Sequence, residues 1–254
     1  MDLKEFYAVA APHYDAVYDA RAYDADIPFY RDLAAAGGEV LEMGCGTGRI
    51  LLPTARAGAR IHGLEASGDM LRQLRRKLAR EPAEVRRRVS ISLGDIRTAR
   101  LERRYALVTA PFRVVQHLVE REDQRAWLRN VARHLRPGGA LCFDVFQPDY
   151  RIIAKGVRER LEVDAGRRLR LFAKVVSYPE AQRMEVTFRW RLAGVSDKSA
   201  TFTMRWFTRG ELENLLDLEG FRITDYWGSF DREPFGAGSG HQIVRAVRRP
   251  RASH

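Results

Sequence analysis

Cysteine is scarce in this sequence, and long apolar runs are missing. The 254 residues include two cysteines: Cys45 lies in a glycine-rich loop and Cys142 in an apolar, strand-like run, so neither indicates a disulfide framework or a metal site. No apolar run approaches the ~18 residues that a membrane-spanning helix needs, so no membrane contact is expected. The first residues lack the basic start and apolar segment of a secretion signal. These absences predict a cytoplasmic protein.

Acidic residues are outnumbered by basic ones. Lysine and arginine total 44 against 33 aspartates and glutamates, which gives a formal net charge of +11. Such a balance favours anionic partners, including RNA and phosphorylated metabolites. The arginines are dispersed over helix-like segments, however, and no basic stripe interleaved with aromatic residues is present. A solvated basic surface is the simpler interpretation, and RNA is the second.

Repeats and low-complexity segments are also absent, so the organisation follows from periodicity. Short apolar runs alternate with helix-like segments through residues 37–150; the runs are 40–43, 60–64, 89–93, 105–110 and 140–146. This alternation predicts consecutive βαβ units, and therefore an α/β fold with a Rossmann-like, doubly wound, mainly parallel sheet. Such sheets bind ligands at the carboxyl ends of their strands.

Three other regions flank or interrupt this domain. Residues 1–36 have the pattern of an N-terminal helical cap. Residues 151–207 change to a period of two, in runs 168–178, 183–192 and 199–207, which predicts an inserted antiparallel β meander. Residues 208–248 return to the parallel domain, with a helix at 210–218 that begins after Thr208 and strands at 221–227 and 241–247.

The most informative stretch is VLEMGCGTG, residues 40–48. A strand that leads through a glycine turn into a helix presents backbone N–H groups to a ligand. The dinucleotide pattern G-x-G-x-x-G fits Gly44 and Gly46 but fails at Arg49, and no Walker A lysine follows. Glu42 would repel a pyrophosphate. It suits a cationic ligand such as S-adenosylmethionine, which carries an ammonium and a sulfonium group.

Two further acids follow the next two predicted strands. Glu65 lies 21 residues after Gly44, where a carboxylate can accept hydrogen bonds from both ribose hydroxyls. NAD-binding proteins share that feature, so a nucleotide-binding domain of that type is the alternative. Asp95 follows Gly94 at the end of the third strand and is placed to accept from an adenine amino group.

Taken together, these motifs resemble the class I, seven-stranded S-adenosylmethionine-dependent methyltransferases. The similarity rests on E-x-G-x-G-x-G, the acid after the second strand, the Gly-Asp after the third, and Pro-Gly-Gly at 137–139, and it covers about residues 37–147. Tyr14-Asp15 with Tyr18-Asp19, and the inserted meander, are similar to small-molecule N- and O-methyltransferases of this class. The resemblance implies S-adenosylmethionine as cofactor and S-adenosylhomocysteine as product.

The resemblance also implies which residues contact the cofactor, from its methionine part to its adenine. Glu65 would hold the ribose, where the family more often has aspartate. The full set is Glu42, Gly44, Cys45, Gly46, Glu65, Ala66, Met70, Gly94, Asp95, Ile96 and Ala110.

Catalytic candidates lie on either side of the predicted cofactor site. His117 follows the fourth strand and would act as a general base, or is a structural helix residue. Tyr14 would close over the donor and orient the acceptor, or packs in the N-terminal helices. Arg113 would hold an acceptor carboxylate or phosphate, or is exposed. Arg189 and Arg191 share one face of the meander, where they would either select an anionic acceptor or face water.

We therefore expect a methyltransferase that moves a methyl group to a nitrogen or oxygen of a small-molecule acceptor, namely an amine, an amino sugar or a secondary metabolite. The inserted meander would form a lid on the acceptor side. An RNA methyltransferase is the second hypothesis, and a regulatory protein that binds the cofactor without turnover is the third. The expected assembly is a monomer or a homodimer.

Overall fold

The N-terminal region of the chain is helical. The computed structural model describes residues 3–20, 24–164, 169–191, 194 and 196–249. Three helices, α1 (Leu3–Ala10), α2 (Tyr14–Ala20) and α3 (Asp26–Ala34), precede the first strand, with a short 3-10 turn between α1 and α2. Helices therefore occupy most of the described part of residues 1–36, as the sequence predicts.

A seven-stranded sheet forms the centre of the molecule. Its strands are β1 (Glu39–Met43), β2 (Arg60–Glu65), β3 (Val89–Leu93), β4 (Tyr105–Ala110), β5 (Leu135–Phe146), β10 (Phe221–Trp227) and β11 (His241–Arg248). They lie in the order β10-β11-β5-β4-β1-β2-β3. The first five are parallel, whereas β11 runs antiparallel to both β5 and β10. The predicted doubly wound, mainly parallel sheet is confirmed.

Helices pack on both faces of this sheet. Six further helices lie in the described part of the chain, and some of them begin at side-chain caps. They are α4 (Leu51–Arg56), α5 (Gly68–Leu78), α6 (Ala83–Arg86), α7 (Arg121–His134), α8 (Tyr150–Ile153) and α9 (Arg209–Leu218). The Ser67 side chain accepts from the backbone of Met70 to begin α5, and Thr208 and Glu211 cap α9 reciprocally. None of the described helices has the length and apolar character needed to cross a membrane.

The insertion forms a second, four-stranded antiparallel sheet. Its strands, in spatial order, are β6 (Val157–Asp164), β7 (Arg170–Tyr178), β8 (Arg183–Arg191) and β9 (Lys198–Arg205). The prediction of three strands is thus wrong by one, because β6 was not recognised. Its sequence VRERLEVD is rich in charge, it lies at the sheet edge, and a bulge between Leu161 and Val163 interrupts its alternation.

The second sheet shares a hydrophobic core with the N-terminal helices. The ring of Phe6 in α1 lies 4.5 Å from that of Phe202 in β9 and 5.9 Å from that of Trp190 in β8. Val17 of α2 and Leu171 of β7 belong to the same buried cluster. Helices α1 and α2 and the insertion therefore form one wall, which lies opposite the carboxyl ends of the parallel strands.

Candidate functional site

A large cavity lies between the seven-stranded sheet and the second sheet. Its volume is about 490 Å³, and it is lined by the loops after β1 to β4, by α1 and α2, and by the inner face of the second sheet. The strand order reverses at β1, which has β4 on one side and β2 on the other. This is the switch point at which doubly wound sheets bind ligands.

The glycine loop after β1 lines this cavity with backbone atoms that no side chain covers. Gly44 and Gly46 line it and have positive φ angles of 75° and 54°. A Cβ atom built on Gly44 would lie 2.6 Å from a methyl carbon of Val114, and one on Gly46 would lie 3.3 Å from Met70. The turn therefore requires glycine for both its conformation and its close packing.

Glu65, at the end of β2, is fixed by the same loop. Its Oε2 accepts from the backbone N–H of Gly46 at 2.9 Å, and its Oε1 accepts from that of Ser67 at 2.8 Å. Burial raises the pKa of this carboxyl, while the backbone hydrogen bonds oppose the rise. Each oxygen keeps a second lone pair, and the residue lines the cavity, so two vicinal hydroxyls of a ligand can be accepted.

Beyond Glu65, the cavity continues between apolar side chains to a charged rim. Ala66, Met70 and Ile96 line this part. Asp95 also lines it, but its carboxylate accepts hydrogen bonds from Arg97, at 3.0 Å from Nε and 2.6 Å from Nη2. Burial acts to raise the pKa of Asp95, and the bonds from Arg97 outweigh it, so the pKa lies below its usual value.

Four of the predicted cofactor residues do not line the cavity. Glu42 is buried behind the loop; burial raises its pKa to about 8, and its Oε2 has no hydrogen-bond partner. The Cys45 thiol packs against Gly63 of β2. Gly94 lies against Leu64, and Ala110 is fully buried. The proposed contacts of these four with the cofactor stay predictions.

His117 reaches the cavity from the turn that follows β4. Burial lowers its pKa to about 4, although a hydrogen bond to the backbone of Thr203 opposes this. Its Nδ1 is buried and has no partner, so the bond to Thr203 falls to Nε2. The imidazole is therefore neutral, and its Nδ1 lone pair is unused. Its ring lies 5.5 Å from Phe202 and 6.5 Å from Tyr7.

Tyr14 lies in a group of aromatic rings on the cap side of the cavity. Its ring centroid is 4.6 Å from that of Tyr18 and 6.5 Å from that of Tyr7, and all three line the cavity. Burial raises the pKa of Tyr14 well above its usual value, so the hydroxyl stays protonated. Tyr14 therefore both packs against other rings and lines the cavity, although the sequence analysis treated these two positions as alternatives.

The loop between β4 and His117 is held by an acid that the sequence analysis missed. Phe112 and Arg113 have positive φ angles of 62° and 65°. Their backbone N–H groups donate to Asp144 of β5, at 2.7 Å and 3.2 Å, and the hydroxyl of Tyr30 donates to the same carboxylate at 2.6 Å. Burial raises the pKa of Asp144 to about 6. An acid inside the apolar strand ALCFDVF was the available signal.

The opposite wall of the cavity is the inner face of the second sheet. It is apolar on β7, β8 and β9, whereas the edge strand β6 adds the charged side chains of Arg158, Arg160 and Glu162. The apolar side chains that line it are Leu171, Ala173, Val175, Met184, Val186, Phe188, Trp190, Phe202 and Met204. Arg189 and Arg191 lie on the other face, where both guanidinium groups stack on Phe172. The idea that these two arginines cover the acceptor cleft is wrong, and the alternative of a solvated face is confirmed.

Within the described residues, no three histidine, cysteine or acidic side chains are grouped as metal ligands.

Known proteins with similar sequences and structures point to one enzyme class. Residues 40–139 match the family described as a methyltransferase domain. The chain is 28% identical to the cypemycin N-terminal methyltransferase of a Streptomyces species, over 82% of each chain. It is 27% identical to the dTDP-3-amino-3,6-dideoxy-alpha-D-glucopyranose N,N-dimethyltransferase of Streptomyces fradiae, over 83% of this chain and 82% of that one. The structure of the CcbJ methyltransferase from Streptomyces caelestis superimposes with a TM-score of 0.80, at 27% identity and over 91% and 90% of the two chains.

The sheet has seven strands, the last of which is antiparallel, and the glycine turn lies at its switch point. Together with these similarities, this arrangement defines a class I methyltransferase fold. The chain is an S-adenosylmethionine-dependent methyltransferase, and residues 40–139 are the part of it that matches the methyltransferase-domain family.

Proposed function

We propose that this enzyme places the methyl group on an amine nitrogen of a small-molecule acceptor. The acceptor would be an amino sugar or a peptide-like secondary metabolite whose carbon skeleton packs on the inner face of the second sheet. The observation that carries the proposal is His117, a neutral imidazole that lines the cavity with an unpartnered Nδ1.

The residues around the glycine loop fit S-adenosylmethionine. The acceptor lone pairs of Glu65 match ribose hydroxyls, Met70 and Ile96 offer apolar contacts for adenine, and the bare backbone of Gly44 and Gly46 admits the methionine part. When bound, the cofactor supplies an electrophilic methyl carbon attached to a sulfonium. We propose that the second sheet is the acceptor-side lid and that Tyr14 closes over the donor.

The weak basicity of His117 favours nitrogen over oxygen as the methylated atom. A neutral amine already has the lone pair that attacks the methyl carbon, whereas an alcohol must lose a proton as it attacks. An imidazole with a pKa near 4 has little driving force to deprotonate a hydroxyl. Its Nδ1 can still accept a hydrogen bond from an amine N–H and so orient the nitrogen lone pair.

The methyl transfer can be written with His117 as the one side chain that contacts the acceptor nitrogen. The C–N bond forms as the C–S bond breaks, and the positive charge passes from sulfur to the acceptor nitrogen. His117 accepts the hydrogen bond of the new ammonium, and the proton leaves to water when the product is released. A neutral product amine can then be methylated again, in keeping with the N,N-dimethyltransferase among the similar proteins.

The test is a transfer assay with methyl-labelled S-adenosylmethionine and the full chain. The acceptors are amino sugars, peptide amines, the matching hydroxyl compounds and total RNA. We expect label on amines, and turnover lower by about 10- to 100-fold in His117→Ala, because the amine is no longer oriented, with unchanged affinity for S-adenosylhomocysteine. His13→Ala, a half-buried histidine outside the cavity, is the control and should retain the wild-type rate.

Three results would contradict the proposal. Label on RNA would support an RNA methyltransferase instead. Label on hydroxyl groups would show that oxygen, and not nitrogen, is the methylated atom. A wild-type rate for His117→Ala would remove the histidine from the mechanism.

A further inference from the structure

Arg113 lies in the loop after β4, and the proposed reaction gives this residue no role. It lines the cavity, and its Nε is buried without a hydrogen-bond partner. Its guanidinium carbon lies 5.9 Å from the ring centroid of Phe112 and 5.7 Å from that of Phe146. Aromatic rings hold a guanidinium through its faces and leave its N–H edge for other partners.

Arg113 shares the cavity with three other arginines, of which two are paired with acids, while Arg158 makes no ion pair with the described residues. Arg97 is neutralised by Asp95 and Asp123, at 2.6 Å and 2.7 Å, and Arg160 is paired with Glu162. Among the described residues, no carboxylate lies within ion-pair distance of the Arg113 guanidinium. A buried guanidinium N–H without an acceptor is costly, so the position calls for a ligand that supplies one.

The backbone of Arg113 is also fixed before any ligand arrives. Its φ angle of 65° is unusual for a residue with a side chain, and its N–H donates to the buried carboxylate of Asp144. Backbone strain of this kind persists where the surroundings enforce it, which is frequent at ligand sites. The charged side chain is therefore mounted on a rigid loop, and binding would order little.

We propose that Arg113 binds an oxyanion of the acceptor, either a carboxylate or a phosphate. The inference rests on the proposed function and narrows it: the acceptor is an amine that also carries an anionic group. The amine lies at His117, the skeleton lies on the apolar wall, and the anion accepts charge-assisted hydrogen bonds from Arg113. Arg189, on the outer face of the second sheet, takes no part.

The test follows the Nε–H signal of Arg113 by nitrogen-resolved NMR in the chain saturated with S-adenosylhomocysteine. The signal is assigned by its loss in Arg113→Lys. The probes are benzoate, phenyl phosphate and the neutral benzyl alcohol. We expect a saturable shift with an anionic probe and an affinity at least about tenfold above that of benzyl alcohol. The tighter of the two anions identifies the carboxylate or the phosphate.

Variants complete the test. Arg113→Gln should abolish the preference for the anion, Arg113→Lys should retain part of it, and Arg189→Gln should leave it unchanged. Equal affinity for anionic and neutral probes, or no saturable shift, would overturn the proposal. A preference that survives in Arg113→Gln and disappears in Arg158→Gln would also overturn it. Methylation of neutral amines with the His117 dependence intact would show that only the oxyanion inference had failed.

Discussion

The two halves of the cavity are lined by different kinds of chemical group. The half at the parallel strands uses backbone and carboxylates: the glycine turn at Gly44 and Gly46, and Glu65 held by two backbone N–H groups. The half at the second sheet is lined mostly by apolar side chains, such as those of Phe188 and Trp190, with the charged strand β6 at its edge. Backbone geometry tolerates little change in sequence, whereas alternate positions on a strand accept many side chains. The first half therefore suits a constant cofactor and the second a variable acceptor.

The largest effect should come from the cofactor half. Replacement of Glu65 by Ala removes an acceptor of two ligand hydroxyls and leaves the amides of Gly46 and Ser67 without their partner. The affinity for S-adenosylhomocysteine should fall by at least about 100-fold, since two charge-assisted hydrogen bonds are lost and each contributes about 1.5–3 kcal/mol. Calorimetry measures the affinity, and the affinity of Glu65→Asp should lie between those of the wild type and Glu65→Ala. Unchanged affinity would refute the ribose assignment.

A smaller effect, confined to the acceptor half, should follow from Phe188→Ala. Phe188 is half-buried and lines the cavity, whereas Phe172 of the neighbouring strand is half-buried on the outer face of the same sheet. Loss of the buried ring area should weaken acceptor binding by about tenfold in Phe188→Ala. Affinity for S-adenosylhomocysteine should not change.

Phe172→Ala is the matched control, and it should retain the acceptor KM. Equal losses in the two variants would mean that the sheet acts through its stability alone. The comparison between its faces would then fail.

Asp144 holds the loop after β4 in place, and its substitution should have a moderate effect. Asp144→Asn should lower kcat several-fold with little change in cofactor affinity, because the loop that carries Arg113 loses one of its acceptors. Burial raises the pKa of Asp144 to about 6, so the carboxylate protonates and the wild-type kcat falls as the pH decreases through 6.

This acid limb should be absent in Asp144→Asn and present in Tyr30→Phe, where the carboxylate remains. A pH profile of kcat checks it. A wild-type profile in Asp144→Asn would show that the carboxylate has only a structural role.

The sequence was sufficient to predict the strands and the glycine turn that bring Gly44, Gly46 and Glu65 to the cavity. The spacing of Gly44, Gly46 and Glu65 follows from one strand–turn–helix unit and the next strand, and local chain geometry decides it. Periodicity of two and of 3.6 residues likewise predicted the five parallel strands. Glu42, however, lies buried behind the loop, and which way a side chain of β1 faces depends on packing across the whole sheet.

The acceptor half was predicted less well, for physical reasons. The edge strand β6 carries Arg158 and Arg160 on its inner face, so its alternation does not separate apolar from polar residues. The contact between Asp144 and the loop spans 32 residues of chain, which no local pattern encodes. The net charge gave the least information about the acceptor site, because arginines on the outer face, such as Arg189, are paired with nearby acids.

The most direct test of this division is a crystal structure of the chain with S-adenosylhomocysteine. The account predicts the ribose hydroxyls on Glu65, adenine between Met70 and Ile96, and the sulfur facing the apolar wall of the second sheet, with Phe188 free to contact an acceptor. A product molecule that occupied the face of the second sheet, with Glu65 making no contact to it, would contradict the account.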